Sequence, residues 1–400
     1  MIRHKTFIDS AVEFLQKNIK NSYLFSLKQF VKNLPFAPFA ILYKTALKTK
    51  IIKRNRLFAP GKTLFYQPFS AAETVLISPF IGLWFEHFKQ KADFGVSEIN
   101  QRSAEPVKFH DCIENIVTVP DNIREKAKFF RKRKYNTVVL LFPYPYYNIA
   151  FSLMLAKTVN RLGLNYGAKN PFLSSSLQFN EYNAHLTHQF KTLFEETLLK
   201  KTNILPQVFY TADEKKRAEA RKLLTSMRVI RFIVCHINYS KENDLNIPAK
   251  NISDFVKLLL DKNRLMHVLF YETPENKDYL KEIISKVPIE LHRKLQKLEN
   301  LPYDIMFYVI EKSKFVIGYN SDLTHIGSAA KIKVFSIYGA QNEKIDRPFS
   351  SASHSIFIDL PCRPCSKLFH TKRCVNPNQN ACLSELTGEI LFNEVIKSGF

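Results

Sequence analysis

The sequence predicts an α/β protein of two doubly wound, parallel-sheet domains, and three observations lead there. Short apolar runs, TVVLLF at 137–142 among them, alternate with helical segments of ten or more residues. Such alternation signals right-handed βαβ crossovers and a parallel sheet covered on both faces. The alternation occurs in two series, and the 400 residues, 46% of them apolar, suffice for two hydrophobic cores.

Residues 1–60 stand apart, with twelve Lys or Arg against only Asp9 and Glu13. Ile8, Val12, Leu15 and Ile19 form one helical stripe; Leu24, Leu27, Val31 and Leu34 form a second opposite Lys28 and Lys32. Pro35 and Pro38 then break the pattern. Two basic amphipathic helices and a linker are expected, docked either on the protein's own core or on a membrane surface.

The first series begins with a strand over 63–67 and a helix over 70–90 with Glu73 near its start. A buried strand over 137–142 follows the basic run 124–134, expected to be a solvated face, and a helix is expected over 148–162. A helical stretch over 212–227 bridges to strands at 229–236, 266–272, 315–319 and 334–338, and a last helix covers 384–396. The expected division is a basic helical extension (1–60), an N-terminal domain (61–225) and a C-terminal domain (226–400).

Charge narrows the function. The formal net charge of +23, from 59 Lys and Arg against 36 Asp and Glu, favours an anionic partner: a phosphorylated lipid, a nucleotide or a nucleic acid. Only 10 glycines are present, and neither GxGxxG nor GxxxxGK[ST] occurs. No apolar run reaches the ~18 residues of a membrane span, and no signal-peptide core follows Met1–Lys5, so a cytoplasmic location is expected.

The most informative stretch is 318–341, GYNSDLTHIGSAAKIKVFSIYGAQ, where a strand ends in small polar residues, a short helix opens and another strand returns. Ligands of doubly wound sheets sit at such carboxyl ends. Asn320 or Ser321 can cap the helix, and the free N–H groups of residues 322–324 suit a diphosphate, with His325 one turn in.

Here the chain resembles glycosyltransferase family 9, whose donor motif runs approximately D-[ST]-G-L-x-H, then A-A-x-G-x-P, then a strand ending F-G-x-T. Asn320, Ser321, Asp322, Leu323 and His325 take the corresponding places, followed by Ala329, Ala330, Tyr338 and Gly339. Asn replaces the family's Asp, and Asp322 its Gly. The family's first signature, S-x-x-G-D-x-[LV]-x-x-x-P, is similar to the segment from Ser70 to Pro79, with Glu73 in the place of the catalytic aspartate. His236, Asn238 and Ile247-Pro248 match a third element; its phosphate-binding lysine is displaced, leaving Lys241 as the nearest candidate. Residues 136–167, with Leu162-Gly163-Leu164, resemble a further element.

The resemblance implies a GT-B fold, two Rossmann-like domains facing a cleft, and inverting transfer of a sugar. It implies heptose from ADP-heptose as co-substrate, a phosphorylated lipopolysaccharide lipid A/core acceptor, and a place on the inner face of the inner membrane. Glu73 would be the base; His236, Asn238, Lys241, Asn320, Ser321, Asp322, Leu323 and His325 would hold the donor, with no metal or other cofactor required. Cys362, Cys365, Cys374 and Cys382, with His370 among them, have spacing that a structural zinc ion can use, and similar cysteines occur in family 9. Two alternatives stay open: a catalytically inactive family member serving as a binding subunit, and a basic nucleic-acid-binding protein stacking bases on its 34 Phe and 17 Tyr. The aromatics fall mostly at apolar periodic positions, which speaks against nucleic acid.

Overall fold

A computed structural model describes residues 34–48, 58–143, 147–166, 169–203, 207–239, 246–366, 374 and 376–400. The two amphipathic stripes before residue 34, Lys241 and His370 lie outside the described residues.

Two six-stranded, wholly parallel sheets organise the chain. The first contains β1 (Thr63–Tyr66), β2 (Ala92–Ser97), β3 (Ile113–Val119), β4 (Thr137–Leu140), β5 (Asn160–Asn165) and β6 (Ser175–Gln178), in the order β3-β2-β1-β4-β5-β6. The second contains β7 (Phe232–His236), β8 (His267–Glu272), β9 (Leu295–Glu299), β10 (Phe315–Tyr319), β11 (Lys333–Ile337) and β12 (Ser353–Ile356), in the order β12-β11-β10-β7-β8-β9. Traced from its own first strand, each sheet has the same doubly wound order, with a crevice where the winding reverses, beside β1 and β4 in one and β7 and β10 in the other. The expected two-sheet α/β architecture is the one observed.

Local chemistry explains where the sequence expectations shift. The helix expected over 148–162 ends at Leu155; Lys157 turns the chain at φ 61°, and Leu162-Gly163-Leu164 lies inside β5. Pro35 and Pro38 fall at the start of a further helix. Pro35 lies in a 3-10 turn, Leu34–Phe36, and Pro38 in the first turn of the helix Ala37–Lys48, where its missing N–H costs nothing. The run 124–134 forms the helix Ile123–Arg133 with most of its basic side chains exposed, although Lys126 is buried. The last helix, Gly388–Lys397, packs on Ala249–Lys262. Gly388 sits so close to Asn251, Asp254 and Phe255 there that a Cβ would overlap them.

The helix Ala71–Phe88 joins the two halves. Phe80 and Trp84 sit in the core of the first sheet with Phe65 and Phe190, at ring separations of 5.5–5.9 Å. Val75, on another face, belongs to the second sheet's core with Leu323 and Ile326. Burying such a side chain stabilises by roughly 1.5–3 kcal/mol, so this helix is structural mortar as well as site scaffold. Pro79 within it cannot donate to the Val75 carbonyl, and the Ser78 hydroxyl does so instead at 2.7 Å.

Candidate active-site cleft

The carboxyl ends of β1, β7 and β10 converge on one cleft of about 620 Å³ between the sheets. Ser70, Glu73, His236, Asn238, Asn320, Ser321, Asp322 and His325, all singled out from sequence, line it. Leu323 does not: its side chain is buried in the second core, leaving only its backbone to face a ligand.

Two helix N-termini meet here. Ser70 caps Ala71–Phe88 in a capping box: the Ser70 N–H donates to the Glu73 carboxylate at 3.0 Å, and the Ser70 hydroxyl donates to the same oxygen. Opposite, Ser321 caps Asp322–Ala329, its N–H donating to the Thr324 hydroxyl at 3.0 Å. Between them lies Asp322. Its Oδ1 accepts the Ala72 N–H at 2.7 Å, and its Oδ2 accepts the Tyr303 hydroxyl at 2.6 Å. One carboxylate thus stands between two positive helix ends that would otherwise repel, and both its oxygens are engaged by protein donors.

The histidines are neutral. His236 Nδ1 pairs with the Ser321 hydroxyl at 3.0 Å, and His325 Nε2 with Asn320 Oδ1 at 2.8 Å, while His236 Nε2 and His325 Nδ1 have no partner. Because Asn320 Oδ1 accepts, His325 Nε2 carries the proton. Burial holds His236 down at about 4; for His325, burial first and His185 second bring it to about 3. Gly318 permits this arrangement, since any Cβ there would collide with the His236 carbonyl oxygen where β10 passes β7.

The carboxylates shift the other way. Burial, then the nearby Asp322 charge, raises Glu73, against the lowering effect of the Ser70 hydrogen bond. Asp346 lines the same cleft; burial first and Glu73 second push it up to about 7. Carboxyls raised in this way suit proton transfer near neutral pH.

Sequence reasoning missed Asp346, Tyr303 and Arg102. Arg102 lines the cleft from the N-terminal side, 5.7 Å from the Tyr303 ring centroid. The signal for Asp346 was indirect: Asn320 leaves the donor motif one carboxylate short, and Asp346 lines the same cleft. Side-chain contacts flanking the cleft join the halves: Asn342 donates to the Tyr182 carbonyl at 2.8 Å, and His185 Nε2 lies 2.9 Å from the Arg347 carbonyl.

The glycosyltransferase family 9 (heptosyltransferase) model matches residues 127–375. The chain belongs to glycosyltransferase family 9. It is a glycosyltransferase of GT-B type, and solved structures share its fold at low identity. Heptosyltransferase II of E. coli, titled an ADP-heptose lps heptosyltransferase, is 14% identical with a TM-score of 0.63, over 84% of this chain and 98% of that one. A family 9 glycosyl transferase of Veillonella parvula is 12% identical with a TM-score of 0.62, over 74% and 85%. E. coli heptosyltransferase WaaC, solved with ADP-2-deoxy-2-fluoro heptose, is 16% identical with a TM-score of 0.56, over 84% and 100%. No curated protein matches the chain by sequence.

Among the described residues of this family 9 enzyme, no helix is long and apolar enough to cross a membrane, and no group of three or more His, Cys, Asp or Glu is arranged to hold a metal. Cys362, Cys365, Cys374 and Cys382 are free thiols; none of them lines the cleft, although Pro364 and Ser366, on either side of Cys365, do.

Proposed function

We propose that the chain is an inverting transferase that moves heptose from ADP-heptose onto a lipid A/core acceptor of lipopolysaccharide. The observation that carries this reading is the meeting, across one cleft, of the capped helix bearing Glu73 and the capped helix preceded by Asn320 and Ser321. The ADP ligand of the WaaC structure supports the choice of nucleotide.

In this reading the acceptor hydroxyl attacks the anomeric carbon from the face opposite the nucleotide. A new C–O bond forms, the bond to the diphosphate breaks with its electron pair leaving on ADP, and Glu73 takes the hydroxyl proton. The raised proton affinity of Glu73 suits that role. Charge building on ADP would be met by the N-terminus of Asp322–Ala329, with Arg102 and Lys241 as cations and without a required metal. His236, Asn238, Asn320 and Ser321 would line the donor, and His325 would hold Asn320 in place.

A peripheral seat on the inner face of the inner membrane fits the basic extension and the helix Ala37–Lys48. Phe36, just before that helix, and Phe39 within it pack on Phe151, while Ile41 and Leu42 are 64% and 67% exposed. A non-catalytic binding role draws on a different observation, that Glu73 is held in a capping box and Asp322 is held by protein donors.

Calorimetric titration with ADP, ADP-heptose and UDP, on wild type and His325→Ala, tests the donor reading. Saturable binding of the ADP ligands, lost in the variant, is the expected result; no binding of any nucleotide would overturn it. Product formation from ADP-heptose and a lipid A/core acceptor then separates the enzyme from a binding subunit.

A further inference from the structure

Five aromatic side chains among the described residues line the cleft, and four of them, Phe142, Tyr239, Tyr271 and Tyr303, are buried or half-buried in its walls. Tyr182 differs: it is 65% exposed. A large aromatic surface left to solvent inside a cleft is available to a ligand, since the ring gains little there from the protein's own core.

The backbone beneath the ring is fixed. Asn180 Oδ1 accepts the Tyr182 N–H at 3.0 Å and the Asn183 N–H at 3.3 Å, and the Asn342 amide, from the other half, donates to the Tyr182 carbonyl at 2.8 Å. Asn180 is itself clamped by Gln189, whose Oε1 accepts the Asn180 N–H at 2.7 Å and whose amide donates to the Asn180 carbonyl at 2.9 Å. A ring carried on so fixed a turn loses little freedom when a ligand covers it.

Position decides the ligand. Tyr182 precedes His185, the N-cap of the helix Leu186–Leu198, and in the first turn of that helix the Thr187 hydroxyl donates to the Leu76 carbonyl at 2.7 Å, one turn beyond Glu73. The ring therefore belongs to the half that carries Glu73, not to the half that carries Asn320 and Ser321. Its neighbour Glu181 also lines the cleft, with one oxygen accepting the Tyr166 hydroxyl at 3.0 Å. An aromatic face beside a carboxylate suits a sugar ring. The C–H face of a pyranose covers the apolar surface and its hydroxyls donate to the carboxylate, whereas a phosphate would be repelled.

We propose that Tyr182 is the platform on which a pyranose ring of the acceptor stacks, on the Glu73 side of the cleft, and that Glu181 turns the acceptor's phosphates away from this subsite. The assignment rests on the acceptor side of the reading above and names the residue that recognises the acceptor sugar.

The test is calorimetry with two probes, ADP and the deacylated core oligosaccharide of lipopolysaccharide with and without its phosphates, on wild type, Tyr182→Ala and Tyr182→Phe. Tyr182→Ala should lose at least tenfold in affinity for either form of the oligosaccharide and keep its ADP affinity within about twofold, which also shows that the variant is folded. Tyr182→Phe keeps the ring and should stay within about threefold of wild type for both probes. The chain's one tryptophan, Trp84, is buried, so Tyr182→Trp adds a reporter in the cleft. Emission of that variant should shift to shorter wavelength as the dephosphorylated oligosaccharide saturates it. Unchanged oligosaccharide affinity in Tyr182→Ala, equal losses in the Ala and Phe variants, or oligosaccharide binding that requires the phosphates overturns the assignment. A parallel loss of ADP affinity also overturns it and gives the ring to the nucleotide base. Wild type that binds ADP but no oligosaccharide overturns the assignment while leaving the donor reading in place; wild type that binds neither removes both.

Discussion

The backbone N–H of Ala72 donates to Asp322 Oδ1 at 2.7 Å across the cleft, and this contact ties the first turn of one half's helix to the first turn of the other's. In the family pattern glycine stands at this position. The aspartate places one carboxylate in the first turn of its own helix and against the first turn of Ala71–Phe88, where helix dipoles favour negative charge. Tyr303 pins the second oxygen, and the Tyr303 ring faces Arg102, a cation that lines the cleft.

Asp322→Ala should therefore destabilise the protein by about 1–3 kcal/mol, because it strands the Ala72 N–H and the Tyr303 hydroxyl and removes a charge from two helix N-termini. Asp322→Asn, which keeps the acceptors, should cost less. Chemical denaturation of the two variants measures this; equal stability to wild type would mean the halves are held by other contacts, such as Val75 in the second core.

Glu73→Gln should keep ADP affinity and melting temperature, since glutamine can still complete the capping box, while turnover falls by ~100-fold or more. Turnover assays with single-turnover controls check it. Unchanged turnover would confine Glu73 to its helix-capping role.

How much of this was legible in the sequence depends on the range of the interaction. The central strands β4, β7, β8, β10 and β11 are largely apolar runs because both faces are covered, and were readable for that reason; β2 (ADFGVS) and β5 (NRLGLN), also central, are broken by polar residues and were not. Nor were the edge strands. β6, β9 and β12 carry half-exposed, polar residues such as Ser175, Gln296 and Ser353, which lack an apolar signature. Local cap chemistry at Ser70 and Ser321 was readable from spacing; the tie from Asp322 to Ala72 links residues 250 positions apart and had no local signal.

The exposed apolar face of Ala37–Lys48 gives a membrane test that does not touch the cleft. Replacing Ile41 and Leu42 together by Ser should weaken binding to vesicles of anionic lipid severalfold and leave ADP affinity unchanged. Vesicle co-sedimentation reads the effect. Equal sedimentation of the double variant would place membrane contact elsewhere.

Asp346 makes the sharpest pH prediction. Its carboxyl is raised from 3.8 to about 7, chiefly by burial and then by Glu73. Glu343 in its own turn adds to the rise, the Asn320 amide opposes it, and the Tyr338 hydroxyl lies near enough to feel the charge. Below about pH 4 the group is protonated in both folded and unfolded chains and contributes nothing. Between pH 4 and 7 the unfolded chain releases this proton while the folded one keeps it, so wild-type stability falls with rising pH and levels off above 7. Asp346→Asn has no such proton. The stability of the variant relative to wild type should therefore rise across that window, by a few kcal/mol at most, then stay flat. The buried histidines and Glu105 titrate in both proteins and cancel in the difference. Urea unfolding at pH 4.5, 6 and 8 measures it; a difference independent of pH would show that the Asp346 carboxylate is ionised in the folded protein throughout.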